Sequence, residues 1–130
     1  MIYHRAKSVI LTDKIGKNCR LHAPVWIGRN VKIGDKCRIQ AFAYIPEGVV
    51  LEDDVFVSPG VIFTNDSALT CKGKKYWKKT LVKKGAKIGA GAVIRAGIII
   101  GKNAIVGMGA VVLKDVLDGE TVVGNPAKIL

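Results

Sequence analysis

Glu47 and Asn65 stand eighteen residues apart, and Arg29 stands eighteen before Glu47. A carboxylate beneath an amide makes a pocket for an ammonium or amine: Glu47 would hold or deprotonate it, and Asn65 would orient it. Asp66 is a second candidate carboxylate. A Glu above an Arg is equally read as a surface ion pair of little energetic worth.

Just after Asn65 comes the segment NDSALTCKGKKYWKKTL, with Lys72, Lys74, Lys75, Lys78 and Lys79 around Tyr76 and Trp77. Lysines suit a diphosphate, and an aromatic suits the face of a sugar or base. Lys74, Lys75 and Trp77 are therefore candidate substrate contacts, with Gln40 and Tyr44 as the other place to seek the acceptor. The alternative for Trp77 is packing on a neighbouring subunit. Only two histidines exist, His4 and His22, so no three-histidine metal site is available and no metal is expected. His22 reads as a turn residue.

What would bring residues eighteen apart together is a repeat. An aliphatic residue or Phe recurs every sixth position from Ile15 to Phe63, and again from Val82 to Val112. Six matches neither a helical face nor simple strand alternation, so it marks a repeating supersecondary unit. The fifth position of each unit (Cys19, Val25, Val31, Cys37 and Ala43, and on through Ala110) is mostly small, as a narrow interior requires. Three such units close one triangular turn, stacking residues eighteen apart in parallel strands about 4.8 Å apart. The fold expected is all-β: a left-handed parallel β-helix, against the usual right-handed crossover preference. It would form one domain over residues 1–130, with one extruded loop at about 64–81 and a short C-terminal tail. Because Val82 follows Phe63 by nineteen, the helix is expected to restart one residue out of phase with an eighteen-residue turn. A rigid scaffold interrupted once by an irregular loop commonly carries function there.

The 130 residues contain no apolar run near the roughly 20 of a membrane span, and no signal peptide is read at the start, so a cytoplasmic protein is expected. Cys19 and Cys37 occupy equivalent inward positions one turn apart and read as core fillers, a disulfide or metal pair being the sharper alternative. The net charge of +11 is spread through the turns rather than gathered on an aromatic face. Nucleic acid is therefore not expected; phosphorylated small molecules fit better, alongside a solvated lysine coat.

LEDDVFVSPGVIFTND (51–66), TLVKKGAKIGAGAVI (80–94) and VVGNPAKIL (122–130) resemble the hexapeptide-repeat acyltransferases. More narrowly, they are similar to bacterial and archaeal N-acetyltransferases that acetylate the 3-amino group of a nucleotide-linked sugar. The resemblance runs from about Ile33 to the C-terminus, and it departs from the family pattern at Arg38–Phe42 and at Asp66–Thr70, both on the acceptor side. It implies a homotrimer with active sites between neighbouring β-helices, acetyl-CoA as the co-substrate lying along the axis, and a UDP- or dTDP-linked amino sugar as acceptor for surface glycan assembly. Amine attack on a thioester then needs positioning more than a strong base. Gly89, Ala90, Ala96, Gly97 and Gly107 would let the pantetheine lie close, though turn geometry also demands small residues there. Lys114, Pro126, Ala127 and Lys128 would meet the phosphates and adenine. Family members that acetylate hydroxyls use a histidine base, which this loop region lacks. Another small acceptor, or a non-catalytic trimeric binding module, is the alternative.

Overall fold

Strands of two or three residues separated by tight corners repeat along the described residues, and all but the last pair in parallel with the strand one turn away. The computed structural model describes residues 7–130. It forms the expected left-handed parallel β-helix of about six turns, with three sheets as the faces of a triangular prism.

In the two-residue interior strands the first residue points out and the second points in, and in the three-residue strands Val49–Leu51 and Thr80–Val82 the middle residue is the outward one, which is the two-residue alternation of a strand. The inward residues stack by face. Ile27, Ile45, Phe63, Ile94 and Val112 lie inside the first; Ile33, Leu51, Val82 and Ile100 inside the second; Ile39, Val57, Ile88 and Val106 inside the third. All are buried, and so are the fifth-position residues from Val25 through Ala110. Each fully buried aliphatic contributes roughly 1.5–3 kcal/mol.

The corners have their own period. Positive φ recurs every sixth residue, at Asn30, Lys36, Phe42, Gly48, Asp54 and Gly60, and again at Gly85, Gly91, Gly97, Asn103 and Gly109. Gly, Asn and Asp, which tolerate the left-handed region best, fill most of these places. Lys36 and Phe42 are the exceptions, and Phe42 is 70 % exposed.

The loop does not restart the helix out of phase with Phe63. Val82 stacks on Leu51 of the second face, 31 residues back, where Val50 stacks on Lys32 only 18 back. Thirteen residues are therefore inserted between consecutive faces, and every inward side chain keeps its place. Phe63 itself is followed on the first face by Ile94, also 31 residues on.

The two ends depart from the six-residue count. Val9–Ile10 adds a strand below Trp26–Ile27 with a spacing of 17, and Val116 bridges to Ile100 with a spacing of 16. At the far end Lys128–Ile129 turns back antiparallel on Thr121–Val123 and covers part of the terminal strand edge.

Cys19 and Cys37 are free thiols in the core wall, with Cys19 Sγ 3.1 Å from the Gly34 carbonyl and Cys37 Sγ 3.1 Å from that of Glu52. Burial pushes the Cys37 thiol up to about 11. Among the described residues no helix is long and apolar enough to cross a membrane.

Candidate active site

The corner between the first and second faces carries residues 28–29, 46–47 and 64–65 one above another, because each turn of the lower half repeats after eighteen residues. The inserted segment leaves the prism directly from this corner and folds back over it. Three contacts draw its two ends together at the corner. Lys78 N donates to the Asn65 carbonyl at 2.9 Å, Ser67 N to that of Tyr76 at 3.1 Å, and Asp66 bridges to Trp77. Between loop and corner lies a groove of about 620 Å³, walled by Trp26, Tyr44 and Pro46 on the prism and by Cys71, Gly73 and Trp77 on the loop.

Glu47, Asn65 and Asp66 all line this groove, but they are held differently. Glu47 Oε2 accepts from Lys74 Nζ at 3.0 Å and from Asn30 Nδ2 at 3.3 Å. Its ion-pair partner is thus the loop lysine and not Arg29. These two donors hold the Glu47 carboxyl below the usual glutamate range. Asn65 Nδ2 donates to the Glu47 backbone carbonyl at 2.9 Å, which locks the amide across the stacked turns. Its Oδ1 accepts no hydrogen bond among the described residues and remains available as an acceptor.

Asp66 belongs to the loop. Its Oδ2 accepts from Cys71 N at 2.6 Å and Thr70 N at 2.9 Å, and Oδ1 from Ala68 N at 3.1 Å. The Cys71 amide leads in lowering its pKa. The arrangement shapes the loop and leaves Glu47 as the carboxylate that meets a side-chain ammonium.

Tyr44 and Trp77 line the groove as well, and Lys74 reaches it through Glu47 while its Nζ sits 5.8 Å from the Trp77 ring centroid. Lys75 instead lies over Tyr76, 5.0 Å from the ring centroid. Gln40 falls on another corner, between the third and first faces, where its carbonyl accepts from Ala43 N. His22 shares that corner, one turn below Gln40, and is exposed; His4 lies outside the described residues.

One residue that reading by type passed over completes the groove: Trp26 stacks on Tyr44 with ring centroids 5.0 Å apart and planes 22° apart, while Arg29 lines the groove with Glu47 as the column led one to expect. The signal for the aromatic pair was present, since 26 and 44 are one turn apart.

The residues expected to meet acetyl-CoA occupy three places. Gly89, Ala90 and Gly107 share the Gln40 corner, in the upper turns. There a Cβ on Gly89 would lie 2.5 Å from Met108 N, so the next turn itself demands glycine. Ala96 and Gly97 stand on the groove's own corner above the loop, where a Cβ on Gly97 would meet Lys78 Cδ at 3.1 Å. Lys114, Ala127 and Lys128 line a separate cavity of about 260 Å³ at the C-terminal end, and Pro126 sits in the reversal leading into the last strand. Among the described residues no group of three His, Cys, Asp or Glu side chains could hold a metal.

The family model "bacterial transferase hexapeptide (six repeats)" matches residues 30–65 and 79–114, and "hexapeptide repeat of succinyl-transferase" matches 14–41. No curated protein matches the sequence. Among solved structures, the acetyltransferase domain of PglB from Neisseria gonorrhoeae FA1090 is 27 % identical with a TM-score of 0.77, covering 96 % of this chain. This chain spans only 53 % of that one. The hexapeptide-repeat-containing acetyltransferase VCA0836 from Vibrio cholerae O1 biovar eltor, complexed with acetyl-CoA, is 25 % identical over 89 % of this chain and 68 % of its own, with a TM-score of 0.77. A mutant GDP-perosamine N-acetyltransferase from Caulobacter crescentus, complexed with CoA and GDP-perosamine, is 26 % identical over 95 % of this chain and 57 % of its own, with a TM-score of 0.71. With both repeat segments flanking the loop matched, more than half of its length, the chain belongs to the bacterial transferase hexapeptide family.

Proposed function

We propose that this chain is an acetyl-CoA-dependent N-acetyltransferase that acetylates the amine of a UDP- or dTDP-linked amino sugar, acting as a cytoplasmic homotrimer. The observation that carries the reading is the Glu47 carboxylate, which already holds an ammonium, that of Lys74, at 3.0 Å beside the locked Asn65 amide. The acceptor amine would take that ammonium's place. Support for the donor and acceptor classes comes from family membership, from VCA0836 with its acetyl-CoA, and from the Caulobacter enzyme with its GDP-linked amino sugar.

Acetyl-CoA would supply a thioester carbonyl open to attack by an amine. Glu47 binds the acceptor as its ammonium and takes a proton from it, and Asn65 Oδ1 accepts a second N–H, so the nitrogen lone pair is left to point away from both. Nitrogen gives up two protons in all: the first passes from Glu47 to solvent, and as the new C–N bond forms and the C–S bond breaks the second goes to the thiolate sulfur, so amide and CoA thiol leave with one net proton released. Because orientation supplies most of the rate, a low Glu47 pKa is no obstacle. No histidine lines the groove, which suits an amine acceptor better than a hydroxyl. Lys114 and Lys128 would receive CoA phosphates at the C-terminal end, and the small corner residues would let the pantetheine approach.

Trimer formation is supported by the outward row of the first face. Val9, Trp26, Tyr44, Ile62, Val93 and Val111 run its full height without a charge, whereas the third face shows Arg20, Arg38 and Lys87. Burying Ile62, Val93 and Val111 between copies would set the groove at the edge of the contact.

Release of free CoA, measured with a panel of amino-sugar nucleotides and their hydroxyl counterparts, tests the reading. Release is expected only with amines; none with any amine overturns it.

A further inference from the structure

Of the five lysines in the inserted segment, one is placed unlike the others. Lys74 opens the short 3₁₀ turn Lys74–Tyr76, which Trp77 N closes by donating to the Lys74 carbonyl at 3.0 Å. The turn brings the Lys74 side chain to Glu47 and sends the next one, Lys75, over the Tyr76 ring. Lys78 packs along the corner, where a Cβ on Gly97 would meet its Cδ at 3.1 Å. Among the described residues, Lys74 is the only lysine with a carboxylate partner.

That partner is the carboxylate proposed to receive the acceptor amine. Lys74 Nζ stands 3.0 Å from Glu47 Oε2, and Asn65, tied to the Glu47 backbone carbonyl at 2.9 Å, lines the same groove. A lysine ε-amine and the amine of an amino sugar are both primary amines, so an arrangement that prepares one for attack on a thioester prepares the other. The Lys74 side chain is 68 % exposed against 21 % for Glu47: the carboxylate is set into the corner, and the chain carrying the nitrogen is open to solvent, from which the donor arrives.

We infer that Lys74 is a self-acetylation site, to which the enzyme transfers the acetyl group of acetyl-CoA when no acceptor is bound. This rests on the proposed acetylation of an amine at Glu47 and turns that reaction on the chain itself. The Nζ ammonium gives its first proton to Glu47, which passes it to solvent, and the freed lone pair attacks the thioester carbonyl carbon. As the C–N bond forms the C–S bond breaks, and the second proton goes to the thiolate sulfur. The products are an acetylated Lys74 amide and the CoA thiol, with one net proton released. Acetylation removes the charge on Lys74 and its ion pair, so the modified loop no longer competes for Glu47, which keeps Asn30 as its partner.

Incubation of the full chain with acetyl-CoA alone, followed by proteolysis and mass spectrometry of the loop peptides, tests the inference. An acetyl group is expected on Lys74 well before Lys72, Lys75, Lys78 or Lys79. Glu47→Gln should slow labelling of Lys74 by about tenfold or more and leave Lys72 and Lys75 at their wild-type rates. Asn65→Ala should slow the same site and stands in if Glu47→Gln does not fold. Labelling spread evenly over the loop lysines, as direct reaction with acetyl-CoA in solution gives, overturns the inference, as does an unchanged Lys74 rate in these variants. Acetylation of an amino-sugar nucleotide with Lys74 left unlabelled would sink the inference and leave the N-acetyltransferase standing; selective labelling of Lys74 with no free amine acetylated would do the reverse.

Discussion

Lys74 Nζ lies 3.0 Å from Glu47 Oε2, and the two are 27 residues apart in the chain. The contact exists because the inserted loop folds back over the corner from which it leaves. It places an ammonium where the proposed acceptor amine would bind, so the loop lysine and the substrate compete for one carboxylate. With the lysine side chain 68 % exposed, the pair contributes little to stability and is readily exchanged.

Glu47→Gln is expected to lower kcat/KM for the amino sugar and move the lower limb of its pH profile upward. Lys74 and Asn30 keep the wild-type carboxyl below its ordinary value, so it is charged throughout the neutral range and captures the ammonium. With a neutral amide only the free-amine fraction binds productively, and activity follows the acceptor's own pKa. Profiles of kcat/KM against pH decide this, and superimposable limbs would remove Glu47 from amine capture.

Asn65→Ala should reduce kcat/KM for the acceptor by about 10-fold to 100-fold with little change in CoA affinity. The variant loses Oδ1 and also the 2.9 Å bond that ties the corner to the Glu47 carbonyl. Wild-type acceptor kinetics would make this amide a structural tie alone.

Lys128→Ala is expected to weaken CoA more than dephospho-CoA, because one charge-assisted phosphate contact is removed from the C-terminal cavity. Ligand-induced shifts in Tm for the two compounds report it. Equal losses would set Lys128 apart from the 3′-phosphate.

Val93→Lys puts a charge in the middle of the outward apolar row of the first face. Sedimentation should show a trimer for the wild type and dissociation for the variant at micromolar concentration. A stable wild-type monomer would remove the shared cleft from the reading.

The thiols should separate by burial. Cys71 is exposed and is expected to react first with a thiol reagent at neutral pH, and Cys71→Ser should abolish that phase. Cys37 should react only on unfolding. The stability its buried neutral thiol adds is complete below the ordinary value of 9.0 and fades as pH rises toward about 11, because the unfolded chain ionises first. Urea titrations of wild type and Cys37→Ala across that interval should converge as pH rises.

The prism is legible in the period alone. The inward places of Ile33, Leu51 and Ile88 and the small fifth positions follow from a six-residue period, and the parallel stacking of Arg29, Glu47 and Asn65 follows from three repeats per turn. These are local consequences of strand alternation and corner geometry, and they need no knowledge of distant contacts. The irregular ends broke the count, with spacings of 17 and 16, so Val9–Ile10 and Val116 were not legible from period alone. The path of the insertion depends instead on contacts between distant parts of the chain. The tertiary structure seated Val82 on Leu51, sent Asp66 to bind loop amides, delivered Lys74 to Glu47, and left Gln40 on a different corner from the groove. A loop without a repeat takes its path from hydrogen bonds made after the chain has folded back on itself, and residue order alone does not specify which of its lysines meets the one carboxylate on the corner below.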